Sequence, residues 1–304
     1  MRESGAAGRA VTRRDRLVGA TLGLGAAVSY GVVVVVQRSL AKEELPLATV
    51  VGGRFAIAGL LLLAALAACG RPLRPAPGER VRAGLLGLVG YVFHSSLFYL
   101  ALQHGTAAAV AMIFYLYPAI IVVLELAAHR RPMRPEALAA PVVSGLGVAT
   151  VVAVGERVAI TATGVTLALA ASVAVSVYLL ASSHLIQRSN PLVTAAWVAG
   201  GVAVSMATGG TLLSGFSLPA DAIPRLLLAG AATGAATTMV YATLPRLGAG
   251  PTAVFMTLQA LVALVLADIF LGEPATRIQV AGGVALLIGA ALASRAGLRL
   301  EAPQ

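Results

Sequence analysis

Charge is scarce in this chain of 304 residues: Asp, Glu, Lys and Arg together make up 11%, less than half the roughly 25% of an ordinary soluble domain. That scarcity excludes a surface made mainly for water. Cysteine is almost absent, and the lone Cys69 excludes an intramolecular disulfide and any cysteine-based metal cluster. Lys42 is the only lysine and no glycine-rich stretch precedes it, which excludes a Walker A loop and direct use of ATP. His-Glu-x-x-His, Gly-x-Ser-x-Gly and Gly-x-Gly-x-x-Gly are all missing, so the sequence offers no zinc protease, serine hydrolase or dinucleotide site, and no cofactor is expected. What is abundant is apolar: hydrophobic residues reach 59% and the mean hydropathy is +0.90. Apolar runs of about 20 residues recur from end to end, the length that crosses a bilayer as a helix. They are continuous, without the alternation of barrel strands. The chain is read as an all-α integral membrane protein.

Charge, glycine and proline clusters divide the runs into ten transmembrane helices near 17–36, 47–69, 83–103, 106–127, 137–155, 164–183, 191–213, 222–244, 251–270 and 278–295. If the N-terminus is cytoplasmic, sixteen basic residues fall in inside segments, among them Arg2 to Arg16, Arg71 to Arg82 and Arg130 to Arg134; five fall outside, namely Arg38, Lys42, Arg157, Arg225 and Arg277. This bias puts both termini in the cytoplasm and explains the net charge of +10 without nucleic acid as a partner. The basic start followed by an apolar run resembles a signal peptide, but the run is too long and nine more follow, so it is read as an uncleaved first helix. Abundant Ala, Gly and Arg point to a GC-rich bacterial source and hence to the plasma membrane.

Sliding the chain against itself by 142 residues aligns the third to fifth spans with the eighth to tenth, pairing Tyr99 with Tyr241, Pro132 with Pro274 and Gly147 with Gly289. Pro46-Leu47 and Pro191-Leu192 correspond at an offset of 145. The halves are therefore 1–155 and 156–304. A unit of five spans is odd-numbered, so its second copy enters from the opposite side and the pair forms inverted repeats, the architecture of alternating access.

Short motifs support a family resemblance. Gly53-Arg54-Phe55 follows Pro46 in the second span, Phe98-Tyr99-Leu100-Ala101-Leu102 ends the third, and Leu271-Gly272-Glu273 closes the ninth. With them the sequence resembles the drug/metabolite transporter superfamily, specifically its ten-helix EamA type with two EamA repeats. It departs at Tyr30-Gly31, where the family has Trp-Gly, at Arg131, where the first repeat would carry Glu, and at Ala260, where the second would carry Pro. The resemblance implies export or exchange of amino acids, other small metabolites or drugs.

Within the spans, Arg54 needs a partner because an arginine at mid-membrane depth costs at least about 2.5 kcal/mol. Asp268, in the same leaflet, is the expected mate for an ion pair or gate; Arg54 is otherwise expected to bind an anionic or zwitterionic substrate, or to snorkel. His94, beside Ser95 and Ser96, is a candidate proton relay, against the plainer reading of a neutral histidine bonded across a helix interface. Pro118 should kink the fourth span and free the Phe114 carbonyl next to Tyr115 and Tyr117, placing the substrate cavity there with Gln259 facing it from the ninth span. Tyr30, Tyr99 and Tyr241 complete the expected substrate-binding set. Thr233 and Thr237, and Ser172 and Ser176, form one-faced stripes suited to a cavity wall or to helix packing. Gly19/Gly23 and Gly230/Gly234 read as packing motifs. Trp197 is read as packing or anchoring in preference to closing the cavity, and Glu125, with His129 four residues on, as a solvated or locally paired carboxylate at the helix end.

The expected function is secondary, non-ATP transport of a small molecule, probed against two rivals: a lipid-handling protein and an intramembrane enzyme. The expected partners are a small-molecule substrate and the lipid bilayer, with a homo-oligomer compatible with the sequence.

Overall fold

The computed structural model describes residues 13–129, 142–143, 146, 160–185, 188–247 and 249–300. The expected fifth span, 137–155, lies almost wholly outside them. The described residues are helical: α1 Arg13–Lys42, α2 Ala48–Ala68, α3 Arg80–Gln103, α4 Ala107–Phe114, α5 Tyr117–His129, α6 Ala162–Leu185, α7 Pro191–Ser214, α8 Ala222–Leu247, α9 Ala249–Leu271 and α10 Arg277–Leu300. Six of these are long and apolar enough to cross a membrane, and shorter apolar helices accompany them. Outward-facing Leu60, Val81, Leu212, Leu213, Ile269 and Phe270 are exposed, as lipid-facing side chains must be in a multi-pass membrane protein.

Local chemistry sets the ends. Thr106 caps α4 by accepting the Ala109 N–H at 3.3 Å, and Asn190 caps α7 from Leu192 at 2.9 Å with Pro191 at its first position. Gly272, at φ 61°, stops α9 in the left-handed conformation that favours glycine. The Glu273 N–H then donates back to the Ala267 carbonyl at 3.2 Å, which turns the Glu273 side chain over the bundle end. The fourth span breaks between α4 and α5, just ahead of Pro118. Its freed Phe114 carbonyl accepts the Ser172 hydroxyl at 2.9 Å, and the Tyr117 carbonyl accepts that of Ser176 at 3.1 Å. The serine stripe of α6 therefore repairs this break.

Packing runs between the halves. α1 lies along α8 and α9, while α6 lies along α3, α4 and α5; α2 packs on α7 and α8, and α7 on α2 and α3. Each contact has a counterpart when the halves are exchanged. The helix axes agree: the α1 end touches the α3 end through Arg38 and the Leu102 carbonyl, and α6 starts at that same face, where the Thr161 N–H donates to the His104 carbonyl at 3.0 Å. Thus α1 runs toward the face from which α6 departs. Close approach depends on glycine. A Cβ on Gly87 would collide with the Val198 backbone across the α3–α7 contact, Gly19 and Gly23 face Leu247 and Phe255, and Gly230 faces Ile57.

Candidate functional site

Tyr91, His94, Ser95 and Phe98 follow the i, i+3, i+4, i+7 spacing of one helical face, and on α3 that face looks into a cavity of about 720 Å³. Arg54 and Phe55 enter from α2, Tyr30 and Gln37 from α1, and Phe114, Tyr115 and Tyr117 from the break between α4 and α5. Tyr178 of α6, Thr233, Thr237 and Tyr241 of α8 and Gln259 of α9 close the ring. Six of the seven tyrosines thus line one space. Of the expected substrate-binding residues, the structure brings together Tyr30, Arg54, His94, Tyr115, Tyr117, Tyr241 and Gln259. Gln37, Tyr91 and Tyr178 were not expected there, although the spacing of Tyr91 with His94, Ser95 and Phe98 was visible in the sequence.

The walls are aromatic and interlocked. The Arg54 guanidinium carbon sits 4.2 Å over the Phe55 ring, which meets Tyr91 edge-on at 5.0 Å. His94 has ring centroids of Tyr91, Tyr178 and Phe114 at 4.3, 5.9 and 6.2 Å. Its neighbours are rings, and among the described residues the lining holds no carboxylate. The Tyr30 hydroxyl and Thr237 Oγ1 share a hydrogen bond of 3.1 Å. Buried polar atoms at this surface lack protein partners: Gln37 Nε2, Arg54 Nε and Ser95 Oγ make no hydrogen bond among the described residues. Such groups are costly when buried unpaired and are satisfied where a solute supplies the missing atoms.

Two expectations need correction. The Arg54–Asp268 ion pair does not form. The buried stripe of α9 is Ala260, Ala263, Leu264 and Ala267, and Asp268, one residue on, is rotated about 100° away from it and is exposed. Tyr99 lies outside the cavity; fully buried, it donates its hydroxyl to the Leu45 carbonyl at 2.8 Å and so ties α3 to the start of α2. Of the two readings of the Ser172/Ser176 stripe, helix packing is the one that holds: its hydroxyls bond the broken helix, and neither serine lines the cavity. Trp197 anchors, its indole N–H donating to the Leu73 carbonyl at 2.8 Å. The Glu125 and His129 side chains lie outside the described residues.

The carboxylate that does gather cations is Glu273. Its Oε1 lies 2.8 Å from Arg38 Nε and 3.1 Å from Lys42 Nζ, and its Oε2 accepts the Ala107 N–H at 2.9 Å. With Arg38 also donating to the Leu102 carbonyl and Lys42 to that of Leu271, this cluster joins α1, α3, α4 and the end of α9. It seals one face. Toward the opposite face the cavity continues along Ser182, Ser189, Pro191 and Thr194.

The lining follows the internal repeat. At an offset of 145, Tyr30 corresponds to Val175, Val33 to Tyr178, Gln37 to Ser182 and Arg54 to Ala199; at 142, Tyr91 corresponds to Thr233, Ser95 to Thr237, Phe114 to Met256 and Tyr117 to Gln259. Both members of each pair line the cavity. At the open end the pairing is one-sided: Pro191, Thr194 and Ala195 of α7 are lining, whereas Pro46, Thr49 and Val50 at the start of α2 are not.

The sequence profile of the EamA-like transporter family matches residues 17–153 and again 162–295. No curated protein matches the chain. A solved crystal structure 19% identical aligns over 92% of this chain and 97% of its own with a TM-score of 0.64, which shows a shared fold. With a paired lining built from two copies of one unit, and that family's profile matched twice across most of its length, the chain belongs to the EamA-like transporter family.

Proposed function

We propose that the protein is a secondary carrier that moves a small amphipathic solute across the bacterial plasma membrane by alternating access. Ten spans form two inverted five-helix repeats, 1–155 and 156–304, with the fifth span over 137–155 and both termini in the cytoplasm. In that orientation the cavity opens to the cytoplasm and the Glu273 cluster seals the outside, the state in which an exporter loads. The observation that carries this reading is the cavity itself: eight repeat-related pairs have both members in its lining, while its opening uses α7 residues whose α2 counterparts do not line it. Exchanging the two conformations would move the opening to the other face. Tyr30, Arg54, His94, Tyr115, Tyr117, Tyr241 and Gln259 are the proposed substrate contacts.

The test is growth protection of an export-deficient bacterium against toxic amino-acid analogues, organic acids and cationic drugs, comparing the intact gene with Arg54→Ala at matched membrane expression. Selective protection by the intact gene, lost in the variant, is expected. Absence of solute flux from proteoliposomes, with lipid transfer between leaflets present, would replace this reading with lipid handling.

A further inference from the structure

We infer that the cavity selects solutes of net negative charge carrying a flat apolar body, and disfavours zwitterions and amines. The first ground is charge. Among the described residues, Arg54 is the only fully ionised side chain in the lining, and no Asp, Glu or Lys accompanies it. It is buried, its Nε has no hydrogen-bond partner there, and the carboxylate nearest in expectation, Asp268, points away. A guanidinium keeps its proton, so the charge has to be met by an anion.

The second ground is the donor set. Arg54 Nε and Gln37 Nε2 are groups that only donate, and the partnerless Ser95 hydroxyl can donate as well. Together they suit an acceptor-rich head group such as a carboxylate. An ammonium group would find as acceptors hydroxyls, amide oxygens, ring faces and one imidazole nitrogen of His94, whose Nδ1 is also partnerless, and it would find no carboxylate, in a cavity already carrying a positive charge.

The third ground is shape. Tyr91, Tyr117, Tyr178, Phe55 and Phe114 give ring faces and edges around the same space, and about 720 Å³ lies within the usual range for a pocket holding a drug-sized ligand. The remaining hydroxyls give the walls weak, reversible contacts. A carrier needs such contacts in order to let go.

This rests on the carrier reading for the site's purpose but is tested by binding. The probes are phenylacetate, phenylalanine, phenethylamine and phenylacetamide, which share a ring and differ in charge. Thermal stabilisation of the detergent-purified full-length protein reads affinity. Phenylacetate is expected to bind at least about tenfold more tightly than each of the others. Arg54→Gln should abolish that preference, and Arg54→Lys should retain part of it, with melting of the ligand-free variants reporting their folding. Equal binding of phenethylamine or phenylalanine, no binding of phenylacetate, or unchanged phenylacetate binding in folded Arg54→Gln would overturn the inference. Arg54-dependent phenylacetate binding without counterflow in proteoliposomes would refute the carrier reading and leave the ligand class standing. Counterflow of phenethylamine at rates independent of Arg54 would do the reverse.

Discussion

Replacing Glu273 with glutamine should release the sealed face, and the size of the effect follows from the bonds that a neutral amide cannot make there. The Glu273 and Arg38 side chains are 8% and 13% exposed, so their 2.8 Å ion pair is largely shielded; Lys42, at 39%, adds a weaker one. Glutamine can still accept the Ala107 N–H, and Arg38 keeps the Leu102 carbonyl. The substitution thus removes one charge-assisted hydrogen bond and a half-exposed pair, about 2 to 3 kcal/mol. If water meets these groups in the opened state, nearly all of this difference bears on the closed-to-open equilibrium, a shift of roughly 30- to 150-fold. Val50 reports it: fully buried at the start of α2, it is the repeat counterpart of Ala195, which lines the cavity at the open face. In a Cys69→Ala background, Val50→Cys should react with a membrane-impermeant maleimide slowly, and faster by up to that factor once Glu273→Gln is added. Labelling within about threefold of the parent, in a variant that still melts normally, would show that the cluster contributes to folding and does not hold the face shut.

Ser172→Ala should leave the half-buried Phe114 carbonyl without this donor and destabilise the protein by about 1 to 3 kcal/mol, read as a lowered melting temperature. Gly87→Ala should lower it further by forcing α3 and α7 apart, whereas Gly84→Ala, whose Cβ meets nothing within 4 Å, should melt as the parent does. Asp268→Asn should leave both melting and Arg54-dependent phenylacetate binding unchanged; a loss of that binding would reinstate the pairing of Asp268 with Arg54.

The sequence carried the frame of the molecule because hydropathy and an internal offset depend on many residues at once. The helices within the described residues, the break ahead of Pro118 and most of the aromatic lining follow from such patterns. What failed was rotation about a helix axis and height along it. Arg54 and Asp268 were matched by depth alone, and one residue of helical phase separates Asp268 from the buried face of α9. Tyr99 lies on the same stripe as Tyr91 and Ser95 but a turn further along, past the closed end of the cavity. Helical spacing places two further lining residues beside expected ones, Tyr91 three before His94 and Gln37 seven after Tyr30; Tyr178, two after Ser176, lies on the other side of α6 from the serine stripe, so that stripe could not point to it. Glu273 was legible as a motif, yet both its cationic partners, Arg38 and Lys42, come from α1, more than 230 positions away.

The two halves share a frame and differ in chemistry, and the differences fall at the places a transport cycle would use. Arg54 corresponds to Ala199, so a single positive charge faces the cavity although both positions line it. Pro118 corresponds to Ala260; accordingly the fourth span is broken beside the solute space while α9 runs unbroken from Ala249 to Leu271. Glu273 corresponds to Arg131, and Arg38 and Lys42 to Ser183 and Gln187, so the sequence cannot build the same latch at the other face. That face has a different clasp, in which Glu79 accepts the Arg188 and Ser189 N–H groups and the Ser189 hydroxyl, at 2.9, 2.9 and 2.6 Å. These bonds hold the loop between α2 and α3 to the one before α7 while the cavity beside them stays open. Two identical halves would give the two access states equal energy. In the proposed carrier, divergence at Glu273 would favour closure of its own face in the empty protein, and a solute that neutralises Arg54 would make enclosing the site tolerable.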